Sequence, residues 1–164
     1  MIKIGLISDT HGYFDPGLKS FFKECTEIWH AGDIGTMEVV QEIQSFKPLR
    51  AIYGNIDGSE IRSIYPEFQR FLCEEIHVLM IHIGGYPGKY VSRVKNLIDM
   101  DQPDLFICGH SHILRIMHDS NAGFLYINPG AAGNPVFHET RTAIRFSIEG
   151  KNIKDLEVLE MAKR

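Results

Sequence analysis

The sequence has no CxxC pair. Its three cysteines, Cys25, Cys73 and Cys108, lie far apart. That excludes a disulfide framework and points to reduced, partly buried thiols of a cytoplasmic protein. No apolar stretch approaches the ~20 residues of a membrane span. Polar Ser8-Asp9-Thr10-His11 interrupts the first apolar run too early for a signal peptide. Basic residues are in deficit, with 17 Lys and Arg against 21 Asp and Glu, a formal net charge of −4. Nor do they cluster, so neither a global field nor a basic groove argues for a nucleic-acid partner. Internal repeats, low-complexity segments and linkers are missing as well. What remains is a chain of 164 residues, 44% hydrophobic and 23% charged. It is read as a single domain over residues 1–164, large enough to bury a core.

The hydrophobic pattern changes period along the chain. Residues 2–8 are a nearly continuous apolar run, as in a strand buried on both faces. Asp15-Pro16 starts a helix carrying Leu18, Phe21, Phe22 and Cys25. A second strand is expected over 27–31. Thr36 then caps a helix with Val39, Val40, Ile43 and Phe46, stopped before Pro48. Residues 49–53 make a third strand, and a polar, turn-rich stretch containing Pro66 follows. A hairpin is expected over 68–73 and 75–83, a helix over 89–99 and a strand over 104–108. From there the period is mostly two, giving strands at 113–118, 123–127, 141–148 and an edge strand at 152–159 with a frayed charged end. Alternating strands and helices followed by strands suggest two packed sheets flanked by helices, a layered α/β sandwich.

The chemistry sits where the strands end. Asp9-Thr10-His11 follows the first strand, Gly32-Asp33 the second and Gly54-Asn55 the third; His82 and then Gly84-Gly85 end the fourth, and Gly109-His110-Ser111-His112 follows the fifth. Taken singly, DTH, GD and GN are common capping and turn sequences. Together they bring Asp9, His11, Asp33, Asn55, His82, His110 and His112 to the carboxyl edge of an α/β sheet, where ligands bind. The flanking glycines let the backbone turn sharply there. Carboxylates, an amide and imidazoles without a thiolate suit Mn, Fe, Co, Ni or Zn better than Mg. Seven ligands exceed the needs of one tetrahedral zinc. They suit two cations sharing a carboxylate, whose natural chemistry is phosphate-ester hydrolysis.

DTHG, GD, GN, the strand-end His82, GHSH and Asn128-Pro129-Gly130 together resemble the calcineurin-like metallophosphoesterase superfamily, in particular its small single-domain prokaryotic phosphodiesterases. The resemblance implies a four-layer αββα sandwich. It also implies that Asp9, His11 and His112 hold one metal, that Asn55, His82 and His110 hold the other, and that Asp33 bridges them. By the same resemblance two divalent cations are the cofactors, manganese first, with Ni, Zn, Fe or Co as alternatives. A metal-bridging hydroxide is then the nucleophile, and Asp33, Asn55, His82 and His110 form the catalytic set around it. Asn55 helps orient the phosphate, while Asn128 supports the ligands from behind.

One departure stands out. Many members carry a His directly after the Asn, but here the run is Gly54-Asn55-Ile56-Asp57. Ile56 cannot protonate a leaving group, which is help worth ~10²–10⁴-fold. Asp57 either replaces that function or orients the Asn55 loop. Arg115 is a candidate phosphate or partner contact, and Tyr13, Tyr86 and Tyr90 are candidates for the pocket mouth. His30 is expected beneath the site. His77 and His118 are expected at the surface, as is His138, which could alternatively reach a substrate. The expected partner is a small phosphodiester or nucleotide-like substrate in an open site. A homo-oligomer stays open, as do a phosphomonoesterase and a non-catalytic metal-binding scaffold of the same fold.

Overall fold

The computed structural model describes residues 1–134 and 140–162. His138 lies outside them. In chain order the elements are β1 (Ile2–Ile7), α1 (Gly17–Phe21), β2 (Glu27–His30), α2 (Met37–Gln44), β3 (Leu49–Ala51), α3 (Ser59–Ile64), β4 (Phe68–Cys73), β5 (Ile76–Ile81), β6 (Gly85–Tyr86), β7 (Lys89–Tyr90), α4 (Ser92–Met100), β8 (Leu105–Ile107), β9 (Leu114–Asp119), β10 (Phe124–Pro129), β11 (Arg141–Glu149) and β12 (Asn152–Met161).

Ten of these strands form two five-stranded sheets, ordered β12-β11-β1-β2-β3 and β4-β5-β8-β10-β9. In the first, β1, β2 and β3 run parallel. In the second, β5, β8 and β10 do. The outer strands of both sheets add on antiparallel. Each sheet thus has a parallel centre whose strands end at one edge. The architecture is the expected αββα sandwich.

Burial explains why the central strands read as unbroken apolar runs. One face of each sheet meets the other sheet. Ile4, Leu6 and Trp29 of the first sheet pack there with Val78, Met80, Ile107 and Ile127 of the second. Trp29 is fully buried and meets Phe71 and Phe146 edge-on at centroid separations of 4.9 and 5.9 Å, contacts worth about 0.5–1.5 kcal/mol each beyond the area buried. The opposite face of the first sheet packs Ile7 and Ile28 against Leu18, Val39, Val40, Ile43 and Ile61 of α1–α3. The opposite face of the second packs Leu79, Phe106 and Tyr126 against Val94 and Leu97 of α4.

Three local expectations are corrected. The polar stretch after β3 contains a helix, α3, whose buried residue is Ile61. The helix expected from residue 89 begins at Ser92, because Lys89 and Tyr90 pair with Tyr86 and Gly85 in a two-residue hairpin. The first helix stops at Phe21, and Asp15 caps it from one residue further out, accepting from Gly17 N–H at 2.7 Å. No described helix is long and apolar enough to cross a membrane.

Candidate metal centre

All seven side chains lie just beyond the carboxyl ends of parallel strands. β1, β2 and β3 lead into Asp9 and His11, Asp33, and Asn55; β5 and β8 lead into His82 and into His110 and His112. Two clusters form across the seam between the sheets. Asp9, His11 and His112 make one, and Asp33, His82 and His110 the other, with ligand atoms within 4.8 Å of one another inside each. Asn55 joins the second through its Oδ1, 3.0 Å from His110 Nδ1. The structure thus brings all seven expected side chains together in one region.

Each aspartate turns one oxygen inward and ties the other down. Asp9 Oδ2 accepts from Ser8 Oγ at 2.6 Å and from His110 N–H at 3.1 Å. Its Oδ1 faces His112 Nε2 at 3.1 Å, His11 Nε2 at 3.5 Å and His82 Nε2 at 3.8 Å. Asp33 Oδ1 accepts from Ile56 N–H at 3.1 Å, while its Oδ2 stands 3.4 Å from His11 Nε2 and 3.2 Å from His82 Nε2. His82 Nδ1 is 2.7 Å from the Ala31 carbonyl oxygen, which makes Nδ1 the N–H and leaves Nε2 free to coordinate. Asp9 Oδ1, His11 Nε2 and His82 Nε2 are nevertheless buried with no well-directed hydrogen bond. Orphaned polar atoms are rare in a folded interior. Three of them, all ligand-type, with both imidazole nitrogens within 3.8 Å of Asp9 Oδ1, fit bound cations.

The electrostatics agree. Burial works against ionisation of Asp9, yet the neighbouring His11, His112 and His82 hold its carboxyl far below the usual range. Burial likewise opposes ionisation of Asp33, and His11 and His82 outweigh it. In return, Asp33 and then Asp9 lift the His11 imidazole to about 9. Burial disfavours charge on His82, but the two carboxylates still raise it. Without a cation, imidazole protons balance the buried carboxylates.

The backbone here is strained. Asp9, His11, Asp33, His110 and His112 all have positive φ, between 48° and 70°. Such left-handed conformations cost of order 1–3 kcal/mol each for a residue with a side chain. A ladder between the first two loops holds them: Asp9 N–H to Gly32 O at 2.9 Å, His11 N–H to Asp33 O at 3.1 Å and Gly12 N–H to Ile34 O at 2.9 Å. Two glycines permit the close approach. A Cβ on Gly54 would lie 2.0 Å from Asp33 Oδ1, and one on Gly109 would lie 2.1 Å from Ser8 Oγ.

Residues around the centre sort by contact. Asp57 is buried, its carboxylate accepting from Ile34, Gly35 and Gly54 N–H at 3.1, 2.8 and 2.8 Å. It therefore pins the Asp33 and Asn55 loops together. Asn128 donates to Gly109 O at 2.9 Å and Ser111 Oγ at 3.0 Å and accepts from Gly130 N–H, bracing the GHSH loop from behind. His30 is buried under the site, 2.9 Å from Thr10 Oγ1; burial pushes its imidazole down to about 4. His77 and His118 are exposed. Tyr86 and Arg115 line a cleft beside His110, whereas Tyr90 donates to Asp119 and Tyr13 sits under Arg141. Two supporting residues had no signal in the motif pattern. Ser8 reads as the polar end of a strand. Arg62 lies on the unexpected α3, where it donates to Asp57 O at 2.6 Å and Asn55 O at 3.3 Å.

Comparison with known proteins gives a consistent answer. Residues 2–151 match the family model of the calcineurin-like phosphoesterase superfamily domain. The chain is 26% identical to the probable metallophosphoesterase of Methanothermobacter thermautotrophicus, over 95% of this chain and 91% of that one. Among solved structures, a novel archaeal phosphodiesterase superposes with a TM-score of 0.73 at 23% identity, covering 96% of this chain and 100% of that one. Vps29 of Entamoeba histolytica complexed with zinc gives 0.70 at 15% identity, covering 97% and 99%. The last two are likenesses of fold. With the family match spanning nearly the whole chain, and donor sets suited to divalent metal at its strand ends, this protein belongs to the calcineurin-like phosphoesterase superfamily.

Proposed function

We propose that the chain is a single-domain, cytoplasmic phosphodiesterase that uses two divalent cations to hydrolyse a small or nucleotide-like phosphodiester. Manganese is the first choice, with nickel, zinc, iron or cobalt as alternatives. One observation carries the reading. Asp33 Oδ2 stands 3.4 Å from His11 Nε2 of one cluster and 3.2 Å from His82 Nε2 of the other. A single carboxylate oxygen shared by two donor sets is what a dinuclear centre needs. Asp9, His11 and His112 would hold one cation, Asn55, His82 and His110 the other, and Asp33 both. Bound there, the pair would supply a hydroxide nucleophile at neutral pH and offset charge on the phosphoryl oxygens.

The protein's own residues set the rest. Asn55 and His110 are exposed while Asp9, Asp33 and His82 are buried, so a substrate enters over Asn55 and His110. Asn55, its loop fixed by Asp57 and Arg62, orients the phosphoryl group. Ile56, 49% exposed at the rim, has no proton to give, and Asp57 is committed to three backbone N–H groups. The leaving group therefore departs without side-chain protonation, which favours esters of acidic alcohols.

The test is hydrolysis of bis(4-nitrophenyl) phosphate and 4-nitrophenyl phosphate by metal-stripped protein. Mn²⁺, Ni²⁺, Zn²⁺ or Mg²⁺ is added back, with Asp33→Ala as control. Metal-restored diester hydrolysis, stronger than on the monoester and lost in the control, is expected. Bound cations without any hydrolysis would overturn the reading in favour of a metal-binding scaffold.

A further inference from the structure

A cleft of about 320 Å³ leaves the metal centre on the His110 side. His110, Ser111 and Ile113 line both it and the open bowl over the ligands, so the two are continuous. Beyond His110 and Ser111 its walls are mainly apolar, with one arginine. Ile83, Ile113 and Tyr86 stand 40%, 65% and 44% exposed there, a concentration of exposed large side chains that water alone does not favour. That arginine is Arg115. The two arginines of the neighbouring cleft beside Asn55 are already engaged, Arg62 with the Asp57 and Asn55 carbonyls and Arg93 with Glu67. Arg115 instead lies over the Tyr86 ring, 5.4 Å from its centroid, and among the described residues it forms no carboxylate pair. A guanidinium resting over an aromatic ring keeps N–H donors available for a phosphate.

We infer that this cleft seats one ester arm of the diester, a nucleoside whose ring packs among Ile83, Tyr86 and Ile113 and whose further phosphate pairs with Arg115. The inference rests on the phosphodiesterase reading and narrows it. The substrate class becomes a phosphodiester with a 5′-phosphorylated nucleoside arm, the smallest example being a 5′-phosphorylated dinucleotide. The size fits, since ~300 Å³ is at the lower end of small-molecule sites. So does the net charge of −4, which gives a longer strand no overall attraction.

Calorimetry on the metal-loaded protein tests this without turnover when pApA and ApA, which lacks the terminal phosphate, are compared as analogues whose internucleoside linkage is a non-hydrolysable methylenephosphonate. Wild type is expected to bind pApA about tenfold tighter, the equivalent of one charge-assisted contact. Arg115→Gln should bring the ratio close to one, and Arg115→Lys should restore part of it. Equal affinities in wild type, binding of neither, or a ratio unchanged in Arg115→Gln would overturn the inference. Circular dichroism of each variant reads folding separately. Hydrolysis of bis(4-nitrophenyl) phosphate by the same wild-type protein separates the two claims. Hydrolysis with no pApA preference sinks the inference alone, whereas a preference with no diester hydrolysis keeps the cleft and sinks the diesterase reading.

Discussion

The two sheets contribute differently to the centre. The first, through β1, β2 and β3, supplies both carboxylates, the amide and one imidazole; the second, through β5 and β8, supplies imidazoles only. The first sheet's loops are locked to one another by backbone bonds and by the Asp57 carboxylate. The second sheet's GHSH loop leans on neutral bonds from Asn128 and on a single charge-assisted bond, from His110 N–H to the Asp9 carboxylate. Each donor cluster draws from both sheets, so a bound cation ties the carboxylate side to the imidazole side. The lesson is a division of labour: one sheet holds negative charge rigidly in place, and the other brings the neutral donors that close around the ion.

Breaking the shared element should have the largest effect. Asp33→Asn removes a carboxylate oxygen that lies within 3.4 Å of an imidazole of each cluster and is expected to lower kcat/KM by about 10³-fold or more, since the cation term is worth several kcal/mol. Steady-state kinetics on an aryl diester checks it. Metal removal comes next. Loading at a thousand times Kd stabilises by about 4 kcal/mol, so chelation should lower Tm by roughly 10 °C in a protein of this size. No change would deny the ion any part in joining the sheets.

The bracing residues sharpen the contrast between the sides. Asp57→Ala strips an acceptor from three N–H groups and is expected to cost about 4 kcal/mol, whereas Asn128→Ala should cost about 2 kcal/mol, because bonds to a charged group are roughly twice as strong. Urea denaturation of the metal-free variants gives both numbers, and the reverse order would refute the division of labour.

The smallest effect is on pH. His30 is held down to about 4, so its contribution to stability is present in full above 6.5 and is lost as pH falls through 4. His11 is held up to about 9, so its contribution is complete below 6.5 and is lost as pH rises through 9. Metal-free protein should therefore be most stable near pH 6.5, and urea midpoints from pH 4 to 9 read that directly.

Much of the centre was legible in the sequence because its residues follow apolar strands, and an Asp, Asn or His just after such a strand is delivered to the sheet edge. Asp9, Asp33, His82 and His110 were placed by that logic alone. The family resemblance, rather than spacing, supplied the grouping into two sets. What escaped was structure with little apolar signal. In α3 a single residue, Ile61, is buried, so no helical period marks it, and Arg62 went unnoticed with it. The β6–β7 hairpin pairs two residues on each side, too few for alternation to show. Ser8 differs from an ordinary strand-end serine only by its bond to Asp9, a contact no local pattern encodes.

The central claim is that Asp33 joins two cation sites. Calorimetric titration of metal-free protein with Mn²⁺, for wild type and Asp33→Asn, addresses it most directly. Two ions per wild-type chain, with both sites weakened together in the variant, is the expected result. One ion per chain, or two that bind Asp33→Asn as tightly as wild type, would contradict the account.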